Sequence, residues 1–346
     1  MRILVTGGAG YIGSHVVRAL MRAGHEPIVL DDLSEGHAAA LPEGVRLIEG
    51  DIADPACLER AIAGGGLDGA IHMAASCLVG ESMRDPVRYY DNNVVRTLRL
   101  LAHMTARGVN RFVLSSTAAV YGDPTSPGGT ASAMPPIEED QPCRPTNVYG
   151  ETKLAVERAL DWHARCAGMR AVSLRYFNAA GADPSGAIGE DHDPETHLIP
   201  LICRAAIGAI PRVTIMGRDY ETPDGTCLRD YIHVNDLARA HVVALESQAR
   251  ESAGQAGGLR VYNLGAERAI SVLEVVAAAA RIAGRNIPVV DGPRRPGDPP
   301  VLLASSARIR RELGWRPELS DLDSILRTAL AWHAAHPDGF EAVAAS

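Results

Sequence analysis

The sequence predicts an α/β protein: a doubly wound parallel sheet of the Rossmann type, with a smaller interleaved C-terminal α/β lobe. Three observations predict it. A strand, a glycine turn and a helix open the chain. A second strand ends in two aspartates. Strand-like and helical runs then alternate through residue 175, the pattern of repeated β-α units and a parallel sheet.

Residues 2–6 are a short apolar run with β-branched members, which reads as a buried strand. Gly7, Gly10 and Gly13 follow at G-x-x-G-x-x-G spacing, and Val16, Val17, Leu20 and Met21 then recur at helical intervals. In that context the glycines allow a tight turn and close approach to a pyrophosphate, with the helix N-terminus aimed at the anion. Residues 27–30 form the second strand, ending at Asp31 and Asp32. A carboxylate there sits near the offset of about 20 residues expected of a ribose-binding acid. It would repel a 2′-phosphate and no arginine follows directly, so NAD is expected rather than NADP.

Further strands are expected over 45–50, 69–75, 111–116 and 170–175, and helices over 57–63, 89–105 and 148–165. Asp51 and Ile52 follow the third strand. After Asn178 the texture changes to Gly, Pro and Asp. A helix is expected over 197–210, a strand over 213–216, another helix within 267–283 and a turn region over 289–300. Residues 1–177, with a return segment about 229–264, are expected to bind the dinucleotide. Residues 178–228 and 265–346 are expected to form the substrate lobe. Residues 124–136 and 249–258 read as tolerated insertions.

The 346 residues can bury a large core as one α/β unit or two domains. With 46% apolar residues and a formal net charge of −8, the profile is that of a soluble protein. The acidic balance argues against nucleic-acid and anionic-membrane partners. Six scattered cysteines show no C-x-x-C pair and no metal-like spacing, so no metal is expected and a reducing cytoplasm fits. A strand at residue 3 leaves no room for a signal peptide, and no apolar stretch suffices to cross a bilayer.

Tyr149 and Lys153 stand four residues apart in a helical segment and share a face. An ammonium nearby is expected to lower a phenol from about 10, toward a pH where it serves as general base and acid. Ser115-Ser116-Thr117 closes the fifth strand, and Thr117 could bond the same substrate hydroxyl.

Thr6-Gly7-Gly8-Ala9-Gly10-Tyr11-Ile12-Gly13-Ser14-His15 with Tyr149-x-x-x-Lys153 resembles the extended short-chain dehydrogenase/reductase family. Val79-Gly80-Glu81-Ser82, Tyr89-Tyr90-Asp91-Asn92-Asn93-Val94, Leu174-Arg175-Tyr176-Phe177-Asn178 and Leu228-Arg229-Asp230-Tyr231-Ile232-His233-Val234 narrow the resemblance to its UDP-hexose 4-epimerases. It runs over nearly the whole chain. It implies NAD held by Gly7, Gly10, Tyr11, Ile12, Gly13, Asp31, Asp32, Asp51, Ile52, Met73, Ala74, Ala75, Cys77, Asn92, Ser115, Tyr149, Lys153 and Phe177. It implies a UDP-sugar substrate met by Thr117, Tyr149, Asn178, His197, Leu198, Met216, Arg229, Arg295, Asp298 and Leu302. The implied reaction inverts C4 of UDP-galactose or UDP-glucose through a transient 4-keto sugar. The implied assembly is a homodimer through the helices over 89–105 and 148–165.

Several positions depart from that family's pattern. Ala118 and Ala119 stand where related dehydratases carry an Asp-Glu pair, which favours simple epimerisation. Thr117 replaces a serine, Cys77 a lysine, His197 an asparagine and Met216 an aromatic. Leu302 replaces a tyrosine that narrows the sugar pocket, so N-acetylated sugars are expected to fit. The alternatives are an epimerase of UDP-N-acetylhexosamine, UDP-pentose or UDP-uronic acid and, more distantly, a non-catalytic NAD-binding sensor.

Overall fold

The computed structural model describes residues 1–123, 135–250, 258–295 and 298–340. Its first half contains strands β1 (Arg2–Thr6), β2 (Glu26–Asp31), β3 (Arg46–Glu49), β4 (Gly69–His72), β5 (Arg111–Thr117) and β6 (Arg170–Tyr176). Between them run helices α1 (Tyr11–Arg22), α2 (Pro55–Ile62), α3 (Val79–Ser82), α4 (Pro86–Tyr90), α5 (Arg96–Ala106) and α6 (Val148–Ala167). The second half adds β7 (Asn178–Ala180), α7 (Leu198–Ile207), β8 (Val213–Met216), β9 (Leu228–His233), α8 (Val234–Ala249) and β10 (Leu259–Leu264). Then come β11 (Ala269–Ser271), α9 (Val272–Ala283), β12 (Val289–Gly292), β13 (Val301–Leu302), α10 (Ala307–Leu313) and α11 (Leu322–Ala335).

Seven strands form one parallel sheet in the order β10-β6-β5-β4-β1-β2-β3. Its inner strands β1, β2, β4, β5 and β6 are buried on both faces, which explains their apolar runs. Ile3 and Val5 of β1 point into a core with Val16, Val17 and Leu20 of α1 and Leu237 and Leu245 of α8. Leu4, between them, points into the opposite core with Leu58 of α2, Leu100 and Leu101 of α5, and Leu160 of α6. The period-2 alternation of side chains thus gives each strand two helical layers. The order reverses between β4 and β1, a switch point where ligands bind outside the carboxyl ends of such strands.

A smaller sheet runs β11-β9-β13, with β7 also paired to β9; β8 and β12 form a separate parallel pair. A third core, with Ile199 and Ile202 of α7, Val275 of α9 and Ile325 of α11, lies behind them.

The helix expected over 89–105 is in fact three pieces. Asp85 caps α4, accepting a hydrogen bond from Arg88 N, and Pro86 occupies the first turn, so the helix starts early. A π-helical turn, Asp91–Val95, then joins α4 to α5. The fourth strand stops at His72, and Thr117 is the last residue of β5 rather than just past it. The expected turn region over 289–300 contains β12, because Val289 and Val290 pair with Val213 and Thr214 of β8. Helices α8, α10 and α11 were not expected. Yet Leu322, Ile325, Leu326, Ala329 and Trp332 of α11 carry a helical period that terminal position obscured. The segments 124–134 and 251–257 of the expected insertions lie outside the described residues.

One buried ion pair ties α6 to the sheet. Glu157 faces Arg175 at 2.5 Å, with side chains 3% and 6% exposed. Its carboxylate also accepts hydrogen bonds from Ser116 and Ser173, each at 2.7 Å. Removing one partner of such a pair leaves an uncompensated buried charge. Glu157→Ala is therefore expected to lower unfolding stability by about 3–5 kcal/mol, read from urea denaturation. A loss below about 1 kcal/mol would show that the pair is not structurally important.

Candidate active site

The opening loop is shaped by glycine. Gly7 has φ +68°, and a Cβ there would lie 2.5 Å from Ala74 N; a Cβ on Gly13 would strike the carbonyl oxygen of Gly7. Close packing of Gly7 against 73–74 and of Gly13 against the loop forces the turn. Gly10 is the N-cap of α1 and supplies no side-chain cap, so no side chain claims the N–H groups of the first turn. These groups and the helix dipole suit an anionic diphosphate. Tyr11 and Ile12 start α1, and Tyr11 donates to Gly181 O at 2.6 Å.

Asp31 is buried at the end of β2, where it accepts hydrogen bonds from Ala9 N and Leu33 N, both 2.9 Å. Burial nonetheless pushes its carboxyl above the ordinary range. Asp32 is exposed and accepts from Ser34. Asp51 and Ile52 follow β3, where Asp51 faces Arg96 at 3.2 Å and Ile52 is buried. Met73 and Ala74 follow β4, and both N–H groups donate to Thr6 O. Ala75 is half-buried and Cys77 exposed. These residues, Ser115 and Thr117 at the end of β5, and Phe177 after β6 all gather at the carboxyl edge of the one sheet. The uncapped helix end, the glycine clearances and the acid at β2 fit a dinucleotide.

Tyr149 and Lys153 enter this edge on α6, whose N-cap Asn147 accepts from Gly150 N at 2.9 Å. Both side chains are buried, at 8% and 4% exposure. Lys153 Nζ donates to Ser115 O at 2.8 Å, and the Thr117 hydroxyl neighbours the Tyr149 phenol. The Ser115 hydroxyl lies 2.6 Å from the hydroxyl of Tyr176. The expected lowering of the phenol does not occur here. Burial holds Tyr149 well above its ordinary value, reinforced by Tyr176 and Cys77 and opposed by the Thr117 hydroxyl. Desolvation is the largest cause, and the Lys153 ammonium is engaged with the Ser115 carbonyl. The same burial lowers Lys153 to about 8, opposed by Cys77 and Glu157.

Sequence reading missed the buried bridge beneath this pair. Asn93, in the π-helical turn, accepts from Ser76 N at 2.9 Å and donates to Ser76 O and to the Thr152 hydroxyl, both at 3.0 Å. Thr152 in turn donates to Tyr149 O at 2.8 Å. Asn92 donates to the Ser76 hydroxyl at 2.9 Å. Extra residues of this kind in a helix often mark functional sites. The only sequence signal was the Asn92-Asn93 doublet inside a helical period.

The residues expected to hold a second ligand lie on the smaller lobe. Asn178 opens β7, and its buried Oδ1 has no hydrogen-bond partner. Arg229 of β9 is buried and faces Asp298 at 2.5 Å. Arg295 is exposed and donates to Thr196 O at 3.3 Å. His197 caps α7 next to Leu198, and Met216 ends β8. Leu302 of β13 packs with Phe177 against Ala118, Tyr121 and Leu154, joining the two halves of the site. Also unforeseen are Glu190, His192 and Glu195, which gather around His197. Among the described residues, no helix is long and apolar enough to cross a membrane.

A chain from Halalkalibacterium halodurans, UDP-glucose 4-epimerase, is 48% identical over 98% of both chains. The crystal structure of UDP-glucose 4-epimerase from Brucella ovis in complex with NAD superposes with a TM-score of 0.88 at 46% identity. It covers 95% of this chain and 97% of that one. UDP-glucose 4-epimerase from Bifidobacterium longum, in complex with NAD+ and UDP, gives 0.89 at 38% identity, covering 98% and 100%. The model of the NAD dependent epimerase/dehydratase family matches residues 3–265. The glycine loop, the sheet order and these likenesses along the whole chain agree, and the chain belongs to the NAD dependent epimerase/dehydratase family.

Proposed function

We propose that this chain interconverts UDP-galactose and UDP-glucose by NAD-dependent inversion at C4. The observation that carries the reading is the Thr117–Tyr149–Lys153 cluster at the edge of the glycine-loop sheet. When bound, NAD would supply the redox chemistry, a hydride acceptor and donor for sugar C4. With NAD bound, the positive nicotinamide ring would join the Lys153 ammonium in favouring the Tyr149 phenolate, which then removes the proton of the 4-hydroxyl while Thr117 holds that hydroxyl in line. Lys153 supplies positive charge that steadies the phenolate once formed. Asn178, His197, Leu198 and Met216 hold the nucleotide sugar, and Arg229 and Arg295 its diphosphate, a task suited to guanidinium. The resulting 4-keto sugar turns about its diphosphate link, and Tyr149 returns the proton after hydride arrives on the other face. Ala118 and Ala119 offer no acid to expel a hydroxyl, so water is not eliminated.

In this proposal residues 1–177 with the segment about 229–264 hold NAD, and 178–228 with 265–346 hold the UDP-sugar. Sheet membership supports the division from α8 onward, since α8 packs on the large sheet and β10 joins it, whereas β9, at the start of the return segment, pairs within the smaller sheet. A homodimer is supported by Met83, Val87, Tyr90, Leu98 and Trp162, which leave apolar side chains exposed near α4, α5 and α6. Six free cysteines support a reducing cytoplasm. A second reading, turnover of UDP-N-acetylhexosamine, is favoured by Leu302, which is smaller than the family's tyrosine and packs on the same core cluster as Phe177.

Purified protein is expected to convert UDP-galactose without added NAD. Tyr149→Phe should lower turnover by about 10²–10⁴-fold while NAD is retained, and full activity in that variant rejects the mechanism. Lys153 is charged below its lowered value of about 8 and neutral above it. Turnover should therefore fall as pH rises through about 8, and a rate still flat at about pH 10 rejects the electrostatic role. Leu302→Tyr should abolish conversion of UDP-N-acetylglucosamine and spare UDP-glucose; no conversion by the parent protein excludes the second reading.

A further inference from the structure

Four side chains converge just before α7. Glu190, His192, Glu195 and His197 each offer one ligand atom, and these atoms all lie within 4.8 Å of one another. His192 Nδ1 is 3.4 Å from Glu190 Oε1 and 3.6 Å from Glu195 Oε2; His197 Nδ1 is 3.6 Å from Glu195 Oε1. Tetrahedral ligands at the bond lengths of zinc have edges of about 3.3 Å. Both separations from His192 Nδ1 are therefore already close to that edge, and the 3.6 Å from His197 Nδ1 is to the other oxygen of Glu195. The remaining separation, His197 Nδ1 to Glu190 Oε1 at 2.6 Å, is a hydrogen bond that an ion would open.

His192 Nδ1 is itself fully buried and, despite these two carboxylates, makes no hydrogen bond. The carboxylates are deeply placed, with side chains 4% and 3% exposed. Two such anions side by side require compensating positive charge, and one divalent ion matches two carboxylates and two neutral imidazoles in charge and in donor type. The ligands are also oriented from behind. Glu195 Oε1 accepts from Thr196 N and His197 N, both at 2.7 Å, and Trp332 donates to Glu190 O. Outer bonds of this kind fix metal ligands.

We propose that Glu190, His192, Glu195 and His197 form a binding site for one divalent transition-metal ion of the zinc type. It closes the segment 190–197 into a clip between the nucleotide loop and the smaller lobe. The His192 ring meets the Tyr11 ring edge-on with centroids 6.2 Å apart, and Tyr11 starts α1 while His197 caps α7. An ion here orders the entrance to the cleft and takes no part in hydride transfer.

The test is titration of the chelator-treated full chain, cofactor retained, with Co²⁺. Saturation at one equivalent, with the intense visible absorption of four-coordinate Co²⁺ and its displacement by Zn²⁺, is the expected result. His192→Ala with Glu195→Gln should weaken Co²⁺ binding at least about tenfold, with the far-ultraviolet circular dichroism unchanged. No saturable one-equivalent absorption in the parent chain overturns the site and leaves the histidines as ion-pair partners. An undiminished band in the double variant overturns it equally. The parent titration stands by itself if the variant fails to fold.

Discussion

The position of α6 depends on one buried amide. Asn93 uses its oxygen and both ends of its donor capacity to join the segment after β4 to Thr152, one residue before Lys153. Ser76 and Thr152 are far apart in the chain, and no strand or helix ladder connects them. Without the amide, a buried N–H, a carbonyl and a hydroxyl would each lose a partner, and unpaired buried groups cost about 1–3 kcal/mol apiece. The π-helical turn is what aims Asn93 inward while Asn92, its neighbour, still reaches the Ser76 hydroxyl. The irregular backbone is thus balanced by the hydrogen bonds it enables.

From this bridge the polar chain continues into the sheet. Thr97 donates to Asn93 O and lies 2.8 Å from His72 Nε2, and His72 Nδ1 lies 2.7 Å from the Thr6 hydroxyl. Burial and the Lys153 charge both hold His72 well below its ordinary value, so it is a neutral imidazole with one donor and one acceptor. The glycine loop leaving β1, the turn leaving β4 and the catalytic helix are therefore joined by one satisfied network. The site's rigidity comes from the strand ends and this network together.

Legibility in the sequence followed the range of the interactions. The glycine loop is local: spacing, strand and helix all lie within residues 2–22, and Gly7 and Gly13 are confined as the motif requires. The Tyr149–Lys153 pair was visible because a helix brings residues four apart together. The Asn93 bridge spans 17 and 59 positions and leaves no periodic trace. The protonation of Tyr149 was misjudged because desolvation depends on what packs around the phenol, which no window of sequence contains. β12 was hidden by the prolines and glycines beside it. The 190–197 cluster was hidden because its members converge through a loop without helical or strand period.

Arg229 shows how the proposed substrate lobe would present charge to a diphosphate. Its side chain is 8% exposed, and a guanidinium so buried needs an anion. Asp298 provides one at 2.5 Å, and Leu228 O accepts a second hydrogen bond at 2.8 Å. The pairing holds the arginine extended along β9 and leaves part of its five-donor fork for another acceptor. Because β9 pairs with β13, Arg229 lies opposite Leu302, which packs on the same core cluster as Phe177. A single strand pairing thus fixes the distance between the proposed diphosphate clamp and the sugar pocket.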